Sequence, residues 1–258
     1  MSAARPLRVI VTRPAVQAAH WVERLGERRV AAVALPLIDI VAAVDPDGVA
    51  EAWSELATKR LVVFVSPNAA ERFFAARPAG ATWPDGVFAA TPGPGTAQAL
   101  RELGIAVDAV VEPVADADEF DSGSLWDRLR SMAWRDADVM IVRGDGGRPW
   151  LGERLADAGA RVAYLSAYRR RAPTLAPADR SLIAAEQAQP ASHAWLFSSS
   201  QAIDHLEQVA GIGRWSASRA IATHERIASR AHDAGFGTVA RARPTLDSVV
   251  ACIQSFGP

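Results

Sequence analysis

Cysteine is almost absent from this chain, because Cys252 is the only one among 258 residues. A single cysteine excludes an internal disulfide and a cluster of thiolate ligands within the chain, and it is usual in reducing compartments. Long apolar runs are missing too: the run that starts at Val30 stops at Pro36, far short of the ~20 residues that span a bilayer. Residues 1–8 contain no apolar segment of signal-peptide length. We therefore expect a cytoplasmic protein that is not associated with a membrane.

Net charge is also nearly absent: the chain has 28 basic and 29 acidic residues, and its formal net charge is −1. Such a balance disfavours nonspecific binding to nucleic acid, so we expect no nucleic-acid partner. The five histidines show no ligand-like spacing with acidic residues, and we expect no metal site. Half of the residues are hydrophobic, which is enough for two modest cores.

The chain does contain an internal repeat. Each copy carries apolar strands that give way to helical patterns at polar or glycine-rich stops. The landmarks recur at separations of 130, 132 and 131 residues: Arg13 and Arg143, Ser66 and Ser198, Gly104 and Gly235. Similarity at so long a period indicates two copies of one fold. Alternating strands and helices at this spacing predict an α/β protein with two similar parallel-sheet domains, and two facing copies would form a cleft.

Two extended segments are longer than the predicted strands around them. The first runs from Pro36 to Val44 and the second from Arg161 to Pro173. Their length predicts crossovers between the two domains. Elsewhere the pattern predicts, among other elements, a helix over 48–57 and a strand over 106–111.

The stops are candidate ligand sites, because parallel sheets bind ligands beyond the carboxyl ends of their strands. Ser66 and Ser198–Ser200 begin predicted helices, where they are expected as N-caps, and helix N-termini also bind anions. Arg143 and Arg148 flank a glycine-rich turn that lets a ligand approach the backbone, which favours bidentate carboxylate binding. Neither glycine-rich stop matches a nucleotide-binding pattern. Tyr168, in the second crossover, is open to two interpretations, a packed aromatic or a proton donor.

The motifs resemble, in order and spacing, those of uroporphyrinogen-III synthases over nearly the whole chain. They are V-T-R-P at Val11–Pro14, P-L-I at Pro36–Ile38, F-V-S-P-N-A at Phe64–Ala69, G-P-G-T-A at Gly93–Ala97, R-G-D-G-G-R at Arg143–Arg148, Y-R-R at Tyr168–Arg170 and F-S-S at Phe197–Ser199. The resemblance implies two flavodoxin-like α/β domains joined by a two-stranded β-ladder. One domain would be discontinuous, with residues 1–36 and 174–258; the other would be the insert 45–166, with linkers at 37–44 and 167–173.

The resemblance also implies the activity of a cyclising lyase. Family members act on hydroxymethylbilane, a linear tetrapyrrole with eight carboxylates. They remove its terminal hydroxyl as water and close the ring with the last pyrrole inverted, by way of an azafulvene and a spiro-pyrrolenine. The product feeds heme, siroheme or cobalamin synthesis. No cofactor is implied and a monomer is expected, and the resemblance leaves open a transient handover of substrate from hydroxymethylbilane synthase.

The resemblance carries over to individual residues. Tyr168 would assist departure of the hydroxyl. Substrate binding would fall to Thr12, Arg13, Ser66, Asn68, Gly95, Thr96, Arg143, Gly144, Gly147, Arg148, Ser198, Ser199 and Ser200. The chain departs from the family at Ala222–Ile227, where many relatives have a second Gly-Pro-x-Thr-like turn. There we expect His224, Arg226 or backbone amides to serve instead.

Two alternative functions are considered. The first is a two-domain protein that closes around a small anionic ligand without chemistry; a secreted one would need a signal peptide. The second is a nucleotide-sugar transferase with two α/β domains, which would be expected to show a clear nucleotide site. Neither alternative accounts for the ordered set of motifs.

Overall fold

The computed structural model describes residues 7–211 and 214–256. Its strands are β1 Arg8–Val11, β2 Ala32–Ala34, β3 Asp39–Ala42, β4 Leu61–Phe64, β5 Phe88–Ala90, β6 Val110–Val111, β7 Asp138–Gly144, β8 Arg161–Arg171, β9 His193–Phe197, β10 Arg219–Ala222 and β11 Thr238–Arg241. Its α-helices are α1 Ala15–Glu27, α2 Pro46–Glu51, α3 Pro67–Ala75, α4 Pro94–Glu102, α5 Ser122–Leu129, α6 Trp150–Asp157, α7 Pro177–Ala188, α8 Ser200–Ala210, α9 Glu225–Asp233 and α10 Leu246–Ser255.

The chain divides into two compact units. The first unit joins residues 1–39 to residues 171–258, and the second unit is the continuous stretch 40–170. Residues 37–44 and 167–173, which the sequence analysis assigns to linkers, contain the two points of division. In the described part of the chain, no helix has both the length and the apolar character needed to cross a membrane.

The first unit is built on a five-stranded sheet with the order β11-β10-β9-β1-β2, in which every neighbouring pair is parallel. Side chains alternate across it, as expected for a strand period of two. On one face Val9, Val11 and Leu196 pack beneath α1 and α10. On the other face Trp195 stacks with Phe197 at a ring-centroid distance of 5.9 Å. Burial on both faces accounts for the uninterrupted apolar runs in the sequence.

The second unit is built on a six-stranded sheet with the order β3-β8-β7-β4-β5-β6. The run from β8 to β6 is parallel throughout. Val62 and Phe64 of β4 face one hydrophobic cluster, which also contains Tyr168, whereas Leu61 and Val63 face another. The two predicted crossover segments supply β3 and β8, which are neighbours in this sheet. The predicted ladder is thus part of the second sheet rather than a separate element.

The five strands of the first sheet have the same order as five of the six strands of the second sheet. The order β2-β1-β9-β10-β11 of the first unit matches β8-β7-β4-β5-β6 of the second when strands are paired by the sequence repeat. This match confirms the predicted α/β fold class with two similar parallel-sheet domains.

Two local predictions were wrong. The helix predicted over 48–57 begins earlier and ends at Glu51, because Asp45 caps it at Gly48 N–H and Trp53 turns inward to stack on Phe73 at 4.8 Å. The strand predicted over 106–111 is a 3-10 turn at Val107–Ala109 followed by the two residues of β6. At Trp53 tertiary packing overrides the local helical pattern.

Candidate functional site

The predicted site residues fall into one set for each unit, at the carboxyl ends of neighbouring parallel strands. In the first unit the set follows β1, β9 and β10, and in the second it follows β7, β4 and β5. The first set contains Thr12, Arg13, Ser198, Ser199, Ser200, His224 and Arg226. The second set contains Ser66, Asn68, Gly95, Thr96, Arg143, Gly144, Gly147 and Arg148, and Tyr168 lies beside it on β8.

Tyr168 lies at the centre of the best-defined polar cluster of the second unit. Its side chain is fully buried, at 0% exposure. The phenol oxygen lies 2.9 Å from Ser66 Oγ and 2.9 Å from Arg170 Nη2. Ser66 also accepts a hydrogen bond from the Ala69 backbone N–H at 3.2 Å, so it caps α3 as predicted.

The chemistry of these groups assigns a direction to the hydrogen bonds. A guanidinium only donates, so the phenol oxygen accepts from Arg170. The buried phenol O–H needs an acceptor, and Ser66 Oγ is within reach. Ser66 then accepts twice, from Tyr168 and from Ala69, and its own hydroxyl hydrogen stays available. Because Ser66 is only half-buried, that hydrogen can be donated to a bound molecule.

Gly144 makes room for Tyr168. A Cβ added at Gly144 would lie 2.9 Å from Tyr168 Cζ and 3.0 Å from Cε2, closer than real side chains approach. The residue ends β7, and the bulge between Arg143 and Gly144 shifts the register so that Gly144 pairs with Tyr168. Glycine is therefore required there by the tyrosine as well as being a predicted point of ligand approach.

The glycine-rich turn after β7 carries the two predicted arginines in different environments. The Arg143 guanidinium lies 4.1 Å from the centroid of the Tyr164 ring, which fixes it by a cation–π contact. Tyr164 in turn donates to the Pro149 carbonyl at 3.2 Å. Gly147 has φ 114°, a conformation that favours glycine. Arg148 is exposed.

Three further predicted residues lie in the first turns of α3 and α4. Asn68 is the second residue of α3 and is largely buried. Thr96, the third residue of α4, is 3% exposed, whereas Gly95 beside it is exposed. Gly93 at the N-cap of α4 has no side chain with which to cap the helix. Pro94 has no N–H, and the Thr96 and Ala97 N–H groups bond to the Gly93 carbonyl, so within the described residues only the Gly95 N–H of this first turn stays available to an anion.

In the first unit, Thr12 and Arg13 play different parts. The Thr12 hydroxyl donates to the Leu196 carbonyl at 2.8 Å and is buried, so it joins β1 to β9. The Arg13 guanidinium lies 4.7 Å from the centroid of the Trp21 ring. Burial lowers the pKa of the Arg13 guanidinium to about 10. Within the described residues, Arg13 Nε is buried without a hydrogen-bond partner.

The remaining predicted residues of the first unit lie at helix starts. Ser198, Ser199 and Ser200 are half-buried, and Ser199 occupies the N-cap position of α8, with no capping bond from its side chain to a described residue. His224 Nδ1 accepts the Arg226 backbone N–H at 3.1 Å and so caps α9. The departure from the family motif at this turn is therefore filled by a histidine that caps its own helix.

Sequence reasoning missed several neighbours of these residues. Arg170 lies two residues beyond Tyr168 on β8, and the period of a strand places both on one face, a signal present in the Y-R-R motif. Gln17 and Trp21 lie one and two helical turns beyond Arg13, a signal present in their i, i+4 spacing. Among the described residues, no group of three or more metal-ligating side chains is arranged to hold an ion.

Comparison with known proteins identifies the family. The model of the family HEM4, uroporphyrinogen-III synthase HemD, matches residues 19–251. The fold is similar to that of a mutant uroporphyrinogen III synthase from the extremely thermophilic bacterium Thermus thermophilus, with 16% identity, TM-score 0.59, and coverage of 97% of this chain and 98% of the other. It is also similar to uroporphyrinogen-III synthetase from Helicobacter pylori, with 13% identity, TM-score 0.60, and coverage of 97% and 100%. Since the family model covers most of its length, the chain belongs to the uroporphyrinogen-III synthase family, a family of enzymes in tetrapyrrole biosynthesis.

Proposed function

We propose that this chain is a lyase that cyclises hydroxymethylbilane to uroporphyrinogen III, with loss of water and inversion of the last ring. Family membership supports the substrate class. The observation that carries the proposal is the hydrogen-bonded series that runs from the exposed Arg170 through the fully buried Tyr168 to the half-buried Ser66, whose hydroxyl hydrogen is available to a ligand.

The first chemical step is loss of the terminal hydroxyl of the bilane. The phenol of Tyr168 is fully buried, so Ser66 is the group of this chain that reaches the leaving oxygen. As the C–O bond breaks, the Ser66 proton passes to the departing hydroxyl, which leaves as water, and the Tyr168 proton passes to Ser66. The charge left on the phenol oxygen faces the Arg170 guanidinium. A proton is released when the attacked pyrrole ring becomes aromatic again, and this proton returns Tyr168 and Ser66 to their initial protonation states.

Orientation is the second requirement, because the bilane also closes without help and then without inversion. Several cationic or helix-terminal groups are placed to hold its carboxylates. Arg143 is fixed on Tyr164, and the uncapped start of α4 offers the Gly95 backbone N–H. Holding several carboxylates at once fixes which carbon of the last ring attacks, and such orientation contributes several kcal/mol to catalysis.

The test of the reaction is a coupled assay. Hydroxymethylbilane is generated in situ by its synthase, this protein is added, and the oxidised uroporphyrin isomers are separated by chromatography. We expect isomer III to replace isomer I in proportion to the protein added. Isomer I alone, with protein shown to be folded, would refute the proposal.

The role of the tyrosine is tested by Tyr168→Phe. This change keeps the ring in its buried place and removes the oxygen between Arg170 and Ser66, so we expect kcat to fall about 100-fold with little change in KM. Tyr164→Phe is the matched control, since it removes a hydroxyl whose hydrogen bond, within the described residues, is to the Pro149 carbonyl, and it leaves the Tyr168 cluster intact. Wild-type turnover of Tyr168→Phe would remove Tyr168 from the mechanism.

Three finer features remain predictions of the sequence analysis: a monomeric state, a cytoplasmic location and handover of substrate from hydroxymethylbilane synthase. Sedimentation at assay concentration tests the first. Handover of substrate is tested by measuring whether the ratio of isomers III and I depends on direct contact between the two enzymes.

A further inference from the structure

Asp145 is the acidic residue of the glycine-rich turn after β7. It directly follows Gly144, the last residue of β7, which pairs with Tyr168 of β8. The two strands separate at this point, because β8 continues to Arg171 while the chain after β7 turns at Gly146, whose φ is 76°. Asp145 therefore lies where the end of β7 leaves the neighbouring strand.

Asp145 makes two hydrogen bonds to β8, one through its backbone and one through its side chain. Its N–H donates to the Tyr168 carbonyl at 3.0 Å, and its Oδ1 accepts the Arg170 backbone N–H at 3.2 Å. In a parallel ladder, a residue donates its N–H to one residue of the neighbouring strand, and its carbonyl accepts the N–H of the residue two places further on. The Asp145 carboxylate thus takes the place of a backbone carbonyl and extends the ladder by one bond.

These two bonds fix the part of β8 that carries the polar cluster. The Arg170 guanidinium lies 2.9 Å from the Tyr168 phenol oxygen, which in turn lies 2.9 Å from Ser66 Oγ. Both distances depend on where the backbone of Tyr168 and Arg170 runs. The Asp145 side chain is exposed and bonds to the Arg170 backbone, so it acts on the phenol through the backbone of β8.

We propose that Asp145 is a positioning residue, which holds Tyr168 and Arg170 so that the phenol stays within hydrogen-bonding distance of Ser66. The effect on turnover rests on the proposed function, whereas the effect on the phenol itself does not. Misplacing a reacting group by about 1 Å can lower a rate about 100-fold, so a smaller loss of alignment is enough to slow proton transfer measurably.

The first test separates the acceptor from the charge. Asp145→Ala and Asp145→Asn both remove the negative charge, but asparagine keeps a side-chain oxygen that can accept the Arg170 N–H. We expect kcat to fall about tenfold in Asp145→Ala, with little change in KM, and to return close to the wild-type value in Asp145→Asn. Asp85→Ala is the control, because it removes an exposed carboxylate that precedes β5, at the opposite edge of the same sheet. Equal losses of kcat in the two Asp145 variants would refute the positioning role.

The second test determines whether Asp145 acts through the phenol. In Tyr168→Phe the ring keeps its place, but there is no phenol oxygen for Asp145 to position. We therefore expect Asp145→Ala to lower kcat about tenfold in the wild-type background and by less than about twofold in the Tyr168→Phe background. Equal factors in the two backgrounds would overturn the inference, because Asp145 would then act on something other than the phenol.

A third measurement is independent of catalysis. The chain contains two tyrosines, so protein labelled with ¹³C at tyrosine Cζ gives two NMR signals, and the Tyr168 signal is the one lost in Tyr168→Phe. We expect this signal to shift in Asp145→Ala and to keep its wild-type position in Asp145→Asn. An unchanged signal in Asp145→Ala would refute the positioning role even if isomer III forms. If the signal shifts as expected while the coupled assay yields only isomer I, the proposed reaction fails and the positioning role stands.

Discussion

The two units share one strand order but arrange the polar groups at their strand ends in opposite ways. In the second unit Tyr168 completes a hydrogen-bonded chain with Arg170 and Ser66. In the first unit the position 131 residues earlier is Leu37, buried and apolar, while Arg13 Nε lacks an acceptor among the described residues. One copy of the fold thus holds a cluster of side chains that hydrogen-bond to each other, and the other holds a buried donor without an acceptor among the described residues. Equivalent positions of a duplicated fold can therefore carry different polar arrangements.

The two units also differ in how the equivalent helices α4 and α9 are capped. Gly93 begins α4 without a capping side chain, and 131 residues later His224 caps α9 through its own ring. The Gly-Pro-x-Thr-like turn of the second unit is therefore replaced in the first unit by His224, whose side chain caps the helix. At this turn α4 has no side-chain cap within the described residues, whereas α9 is capped without the threonine of the family motif.

Among the variants that test this difference between the units, Gly144→Ala is expected to change the free energy of unfolding most. The added methyl group would meet the Tyr168 ring at 2.9 Å in a packed core, so the free energy of unfolding should fall by about 3 kcal/mol. Gly26→Ala on α1 is the control, because its methyl group would meet no described atom within 4 Å and should stabilise the helix by about 0.5–1 kcal/mol. Urea denaturation measures both. Equal stability of the two variants would show that Gly144 is not constrained by the tyrosine.

A smaller effect is expected from Ser66→Ala, compared with its repeat partner in Ser198→Ala. Loss of Ser66 uncaps α3 and leaves a buried phenol O–H without an acceptor, which should cost about 2 kcal/mol. The Ser198 side chain makes no hydrogen bond to the described residues, so its loss should change stability by less than about 0.5 kcal/mol. A similar loss for the two variants would contradict the division of roles between the units.

The smallest effect, and one of opposite sign, is expected from Arg13→Met. The guanidinium carries a desolvation cost in the folded state, partly offset by Trp21, so its removal should stabilise the free protein by about 1 kcal/mol. The exposed Arg148 provides the control, since Arg148→Met should leave stability unchanged.

The pH dependence of that gain has a definite sign. Burial lowers the pKa of Arg13 in the folded state to about 10, so Arg13 loses its proton at a lower pH in the folded than in the unfolded chain. Above about pH 10 the unfolded state therefore binds more protons, and wild-type stability rises relative to the variant. The gain from Arg13→Met should be constant between about pH 7 and 9 and shrink above about pH 10. If the difference in the free energy of unfolding between the variant and the wild type stayed constant above about pH 10 as well, Arg13 would not be desolvated.

The sequence predicted the fold well because burial on both sheet faces imposes unbroken apolar runs, as in β4 and β9. It failed where packing acts over long distances, as at Trp53, whose ring stacks on Phe73 and ends the regular helix. The same apolar runs mark where the strands end, so the placement of candidate residues at strand ends could also be predicted. The direction of the Tyr168 hydrogen bond was not, because it depends on contact with Arg170 and on full burial of the phenol, and the Y-R-R motif indicates only that Tyr168 and Arg170 share a face of the strand.

The order in which the strands are synthesised has a consequence for how the chain folds. β1 pairs with β9 in the register Arg8 to His193, so the ribosome must add about 185 residues before this partner exists. At about 5–20 residues per second the central strand of the first unit waits roughly 10–40 s, with one long edge unpaired. All strands of the second unit are made within that interval. The inserted unit is therefore expected to complete its fold first, while the fragment that precedes it is exposed to chaperones and to aggregation.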